Sequence, residues 1–224
     1  VDDPELANIR AEVAAAGRRL AAEGLLIGTA GNVSARAGER IAVTATGVVL
    51  EHAVAAQVTV VDPAGTVVAG DLAPTSELEL HLGIYARYGA GAVVHTHSPK
   101  ATALSLVLDE LPCVHYQQLV LGGAIRVAPF AAFGTTELAT SVLAALDGKQ
   151  AALLANHGAV AIGPTLQAAV ENVLLLEWAC ELYLTAAVLG KPRALDQAQQ
   201  EAVIAAAFAR GYGKPRLLDT KESP

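Results

Sequence analysis

The stretch that most restricts the fold is Ala92-Val93-Val94-His95-Thr96-His97-Ser98. Its alanine and paired valines predict a strand that runs into a His-x-His pair. Strand side chains alternate faces, so His95 and His97 point the same way, close enough to share one ion. On a helix the same spacing would set them roughly 200° apart, with no common target. Imidazole is the commonest neutral zinc ligand, and catalytic zinc usually takes three protein ligands and keeps one position open. Two histidines at a solvent-facing strand end would have the same spacing and bind nothing, so the pair needs a third ligand from elsewhere.

His157 is the natural third. It sits in Ala151 to Gly163, where two short apolar runs are hinged at Asn156-His157-Gly158. A histidine in such a break needs a partner, either a core carbonyl or an ion, and the His-x-His pair favours the ion. Upstream, Pro74-Thr75-Ser76-Glu77-Leu78-Glu79 reads as a helix start in which Ser76 and Glu79 fit a capping box. Glu77 would be the first residue after the cap. The helix N-terminus there favours a carboxylate, usable as metal ligand or base, although glutamate is common in first turns for the same dipole reason. His81 faces the same way one turn on and takes a supporting or packing role. His52 and His115 have no companions that mark them as ligands. Gly31, Asn32, Thr46, Gly47, Thr75 and Ser76 are small polar residues and glycines at element ends. Each alone is ordinary turn chemistry, but together with a helix N-terminus they suit a phosphate without a P-loop.

The rest of the chain frames these pieces. A helix runs from Asp3-Pro4 to Gly24, with Asp3 as cap. A glycine-rich turn, Gly28 to Ser34, enters a strand, and Ile41 to Gly47 is a second. Val58 to Val61 and Thr66 to Val68 form a hairpin across Asp62-Pro63-Ala64-Gly65. The sheet therefore begins with antiparallel neighbours. Leu78, Leu82, Tyr85 and Tyr88 recur at helical spacing. Further helices are expected over about Lys100–Leu108, from Thr135 or Thr136 to Asp147-Gly148, over Thr165–Leu189 and over about Asp196–Arg210, with strands at Leu111–Tyr116 and Ala124–Val127. No repeat or long linker divides the 224 residues, which suits one α/β domain.

A net charge of −7 with no basic stripe argues against nucleic acid as a partner. Cys113 and Cys180 are too few for a disulfide framework or a thiolate zinc site, which suits a reducing compartment. The opening Val-Asp-Asp-Pro has no basic leader pattern, and Thr165–Leu189 carries Glu171, Glu177 and Glu181, so no membrane span is expected. The expected location is the cytoplasm.

Taken together, the motifs resemble the class II aldolase/adducin family. The matching signatures are Thr29-Ala-Gly-Asn-Val-Ser34, Thr44-Ala-Thr-Gly47, Pro74-Thr-Ser-Glu77, Val94-His-Thr-His97 and Asn156-His157-Gly158. His115-Tyr116 with Gly122-Gly123, Ala132-Phe-Gly-Thr135 and Tyr212-Gly213 extend the likeness from about residue 5 to 213. Residues 1–213 would then be the family domain and 214–224 a C-terminal tail. Thr75 stands where a serine is common and keeps the hydroxyl.

The resemblance implies a three-layer α/β/α sandwich around a mostly antiparallel mixed sheet, assembled as a homotetramer with sites at subunit interfaces. It implies one Zn²⁺ per chain on His95, His97 and His157, with Glu77 as general base and occasional fourth ligand. Gly31, Asn32, Thr46, Gly47, Thr75 and Ser76 would hold the phosphate of a sugar substrate. Tyr116 of a neighbouring subunit would donate a proton, assisted by Tyr212. The implied reaction is cleavage of a ketose 1-phosphate, such as L-fuculose 1-phosphate, to dihydroxyacetone phosphate and an aldehyde. Alternatives on the same scaffold are a pentulose-5-phosphate 4-epimerase, a methylthioribulose-phosphate dehydratase, a sugar-acid phosphate decarboxylase, or a metal-free adducin-like interaction domain. Glutamate at position 77, where the family's 4-epimerases carry aspartate, favours aldol cleavage over epimerisation.

Overall fold

A sheet whose strands alternate apolar residues between two faces can bury both faces only if helices cover each side. The computed structural model of this protein, which describes residues 4–213, adopts this arrangement. Its strands are β1 (Asn32–Ala37), β2 (Arg40–Thr44), β3 (Val58–Val61), β4 (Val67–Ala69), β5 (Ala92–Thr96), β6 (Glu110–Leu111), β7 (Ile125–Ala128), β8 (Ala151–Leu154) and β9 (Gly158–Gly163). The helices are α1 (Pro4–Ala22), α2 (Leu78–Tyr88), α3 (Pro99–Ser105), α4 (Thr136–Ala145), α5 (Leu166–Leu189) and α6 (Gln197–Arg210). The strand order is β4-β3-β2-β1-β5-β9-β8-β7-β6, and among these pairs only β7–β8 is parallel.

Period-two alternation sorts the core. Val33, Ala35, Ala92, Val94 and Leu153 face α1, α3 and α5. Ile41, Val61, Val93, Leu154 and Val160 face α2 and α4. The result is the expected three layers. His95, two residues after Val93, therefore projects toward the α2 side of the sheet.

Several local expectations are corrected. The capping box of Ser76 and Glu79 does not form: Glu77 itself is the N-cap of α2, and no side chain caps that helix. The Leu78 N–H closes a turn on the Thr75 carbonyl, and Thr75 Oγ1 accepts the Glu77 N–H at 3.3 Å. Helix α2 thus begins one residue later than the pattern indicates. The expected strand over Leu111–Tyr116 pairs only at Glu110–Leu111, because Pro112 brings no donor to a ladder. The chain then turns into a 3₁₀ segment, Tyr116–Leu121, where the His115 ring accepts the Gln117 N–H. Helix α3 is shorter than expected, and Asp3 and the tail from 214 lie outside the described residues.

Leu166–Leu189 has the length and apolarity of a membrane span. Its buried residues, Val173, Leu176 and Glu177 among them, pack against β9 and α3. The Glu177 carboxylate accepts the backbone N–H groups of Lys100 and Ala101, both at 2.9 Å.

Candidate metal centre

Three antiparallel neighbours in mid-sheet set the site. Asn32 on β1 lies opposite His95 on β5, and His95 lies opposite Val160 on β9, which begins just after His157. Two close approaches hold this register. A Cβ at Gly158 would sit 2.2 Å from the Thr96 carbonyl oxygen, and one at Gly31 would sit 2.9 Å from that of His95. Neither position admits a side chain without the backbone moving. Asn156, just before His157, has φ 57°, a left-handed conformation that asparagine tolerates better than most residues.

His95, His97 and His157 converge. Their ring centroids lie 4.8–4.9 Å apart with interplanar angles of 68–79°, and their nitrogens lie within 4.8 Å of one another. His95 Nε2 is 3.1 Å from His97 Nε2 and 3.2 Å from Glu77 Oε2. On its other side His95 Nδ1 meets the Ala159 carbonyl at 3.0 Å, which places the proton on Nδ1 and leaves a lone pair on Nε2. Nε2 thus faces two other electron-rich atoms, an arrangement that a positive charge among them, a proton or a metal ion, satisfies. Glu77 Oε1 is buried, has no hydrogen-bond partner among the described residues and lies 3.7 Å from His157 Nε2. The donor set therefore fits a divalent ion held by three imidazoles with a carboxylate beside them.

The electrostatics agree. Burial, reinforced by the neighbouring histidines, pushes His97 down to about 4 and also lowers His157, so both imidazoles are neutral and ligand-ready at pH 7. Burial opposes ionisation of Glu77, but His95 and the Asn32 amide outweigh it and hold the carboxyl well below the usual range.

A cavity of about 610 Å³ opens over this cluster. All six residues expected for phosphate line it, together with Glu77, His97 and His157; His95 lies fully buried beneath. The α2 N-terminus adds a positive dipole end, and among the described residues the lining includes no lysine or arginine. Thr29, Asn156 and the exposed rings of Phe130 and Phe133, to which the sequence assigned no site role, also line the cavity. Tyr116 and Tyr212 do not. They lie together, hydroxyls 3.4 Å apart, along a separate groove with Phe208 and Val120. At 42% and 61% exposure both face outward.

Residues 11–184 match the model of the class II aldolase and adducin N-terminal domain. The chain belongs to this family. It is 37% identical over 191 residues to a 5-methylthioribulose-1-phosphate/5-deoxyribulose-1-phosphate aldolase of Rhodospirillum rubrum, covering 84% of this chain and 86% of the relative. It is 36% identical over 192 residues to the L-fuculose phosphate aldolase of Escherichia coli K12, covering 85% and 88%. A solved L-fuculose 1-phosphate aldolase superposes with a TM-score of 0.85 at 33% identity, over 90% of this chain and 96% of that one. The protein is an enzyme of the class II aldolase family, and the fold expected from the resemblance is the one observed.

Proposed function

We propose that the protein is a zinc-dependent aldolase that cleaves a ketose 1-phosphate to dihydroxyacetone phosphate and an aldehyde. The observation that carries this reading is the convergence of three imidazoles beside an ionised, half-partnered Glu77, at the floor of a cavity rimmed by small polar residues. His95, His97 and His157 would hold one Zn²⁺ per chain, with Glu77 able to join them. When bound, the ion supplies Lewis-acid polarisation of the substrate carbonyl.

The remaining steps belong to the chain's own side chains. Gly31, Asn32, Thr46, Gly47, Thr75 and Ser76 anchor the phosphate and so fix the reacting carbon relative to Glu77. In the cleavage direction Glu77 returns a proton to that carbon; in condensation it removes it. In condensation Tyr116, helped by Tyr212, gives a proton to the aldehyde oxygen as the new bond forms; in cleavage it takes that proton back from the hydroxyl. Both tyrosines lie on a different surface from their own chain's histidine cavity, so they act on a neighbouring copy, in a homotetramer. The exposed rings of Phe130 and Phe133 suit an aldehyde half with an apolar end. L-Fuculose 1-phosphate and the 5-deoxy and 5-methylthio pentulose 1-phosphates all have such an end. The enzyme works in the cytoplasm.

The test is incubation with these three ketose phosphates, with release of dihydroxyacetone phosphate as readout. Dihydroxyacetone phosphate in D₂O should gain deuterium at its hydroxymethyl carbon, and Glu77→Gln should stop this with zinc still bound. No exchange, together with interconversion of pentulose 5-phosphates, would replace the aldolase reading by the epimerase one.

A further inference from the structure

From Glu77 and Asn32 an unbroken run of buried polar side chains continues into three, His81, Ser34 and Tyr85, that the reaction above does not use. Glu77, His81 and Tyr85 occupy positions i, i+4 and i+8 along α2. Asn32 and Ser34 occupy i and i+2 along β1. The helical and strand periodicities bring the five into one line between the two elements. Tyr85 Oη lies 2.8 Å from Ser34 Oγ, which lies 2.6 Å from His81 Nδ1. His81 Nε2 lies 2.5 Å from Asn32 Oδ1, and Asn32 Nδ2 lies 2.9 Å from Glu77 Oε2. Ser34 and His81 have no exposed surface, and the other three are 3–5% exposed.

The chemistry of the end group sets the direction of every bond. A carboxylate only accepts, so the Asn32 NH₂ donates to Glu77 and the Asn32 carbonyl turns to His81. His81 must then carry its proton on Nε2. Its Nδ1 lone pair accepts the Ser34 hydroxyl, and Ser34 accepts from the Tyr85 phenol. An asparagine amide has no intrinsic preference between its two flips. Here one flip satisfies all the groups, and the other would turn a carbonyl oxygen toward a buried carboxylate.

We propose that Tyr85, Ser34 and His81 are positioning residues: a one-way hydrogen-bond relay that locks the Asn32 amide, and through it the Glu77 carboxylate, in the orientation needed over the histidine cluster. The locked amide has two N–H groups, one on Glu77 and one left over on the cavity side, where Asn32 forms part of the lining. Phosphate anchor and base are thereby set by one planar group. The effect on turnover rests on the aldolase reading; the protonation pattern does not.

The test uses zinc-loaded protein labelled with ¹⁵N-histidine, with the His81 ring signals assigned by their loss in His81→Gln. Long-range ¹H–¹⁵N spectra should place the His81 proton on Nε2; a proton on Nδ1, or on both nitrogens, overturns the relay whatever the enzyme's substrate. His81→Leu removes the donor to Asn32 and should lower kcat about 100-fold with zinc content unchanged. His81→Gln keeps an N–H near the position of Nε2 and should recover at least about tenfold of that loss. Equal loss in the two variants, or zinc content falling in step with kcat, also overturns it. If the wild type cleaves none of the ketose phosphates, the aldolase reading fails and the position of the His81 proton still decides the relay.

Discussion

Removing the Glu177 carboxylate should loosen the start of α3 and, through it, the histidine cluster. Helix α3 begins two residues after His97 and has no local cap: Ser98 occupies the N-cap position without bonding the first turn, and its hydroxyl accepts from Thr96 at 3.3 Å. Pro99 brings no N–H, so the unpaired donors of the first turn are those of Lys100 and Ala101, and Glu177 takes both. A hydrogen bond to a charged group is worth about 1.5–3 kcal/mol, so Glu177→Leu, which leaves two N–H groups without their acceptors, should cost about 3–6 kcal/mol. Glu177→Gln keeps one acceptor oxygen and should cost about half, 1.5–3 kcal/mol. Lys100, whose ammonium stands 4.0 Å from the carboxylate and is substantially exposed, adds little. Urea unfolding of the metal-free protein reads the total. Amide hydrogen exchange localises it: in Glu177→Gln one of the two amides should lose protection, and in Glu177→Leu both. A Glu177→Leu protein within about 0.5 kcal/mol of wild type, the range of an ordinary surface substitution, would refute this account of the helix start.

Metal analysis should find one zinc per chain, with nitrogens at about 2.0–2.1 Å by X-ray absorption, and His97→Ala should lose zinc and activity together while its circular dichroism stays native. Retained zinc with normal turnover in that variant would remove His97 from the site. The pH dependence follows from His97, whose folded value of about 4 lies below its ordinary 6.5. Between those values the unfolded chain binds the extra proton, so the urea midpoint of the metal-free protein should fall as pH drops from about 6.5 to 4. His97→Gln should flatten part of that slope, and an unchanged slope would contradict it. Mixed oligomers of Tyr116→Phe and Glu77→Gln chains should regain activity that neither parent has, and mixing that restores nothing despite proven hetero-assembly would disprove a shared site.

Much of the site was legible because it follows strand periodicity. His95 and His97 were assigned to one face from the i, i+2 rule, and the hinge at Asn156-His157-Gly158 was visible as an interruption of an apolar run. The expected phosphate residues came together because element ends on one edge of a sheet share one cavity. The Ser76 capping box failed for a physical reason: a donor–acceptor pattern in sequence does not reveal that Thr75 Oγ1 takes the Glu77 N–H while the Glu77 carboxylate turns to the histidines. The strand expected to Tyr116 failed because Pro112 and the His115 ring redirect the chain. The line from Tyr85 to Glu77 was not legible, because it depends on how α2 docks on β1. Each periodicity is visible alone, and their alignment is a product of packing.

The order of the central strands also sets when this site can form. The bonds that define it join residues far apart along the chain, 45 between Asn32 and Glu77 and 64 between His95 and Ala159. Contacts of such separation are slow to form, because the entropy of closing long loops comes before any reward. The site, with Asn32 against Glu77 and the histidines together, is therefore completed only when β1, β5 and β9 have closed the middle of the sheet. A metal captured at that stage leaves the folding rate unchanged and slows only the escape from the native state. It acts as a latch on a finished sheet, not as a seed for building one.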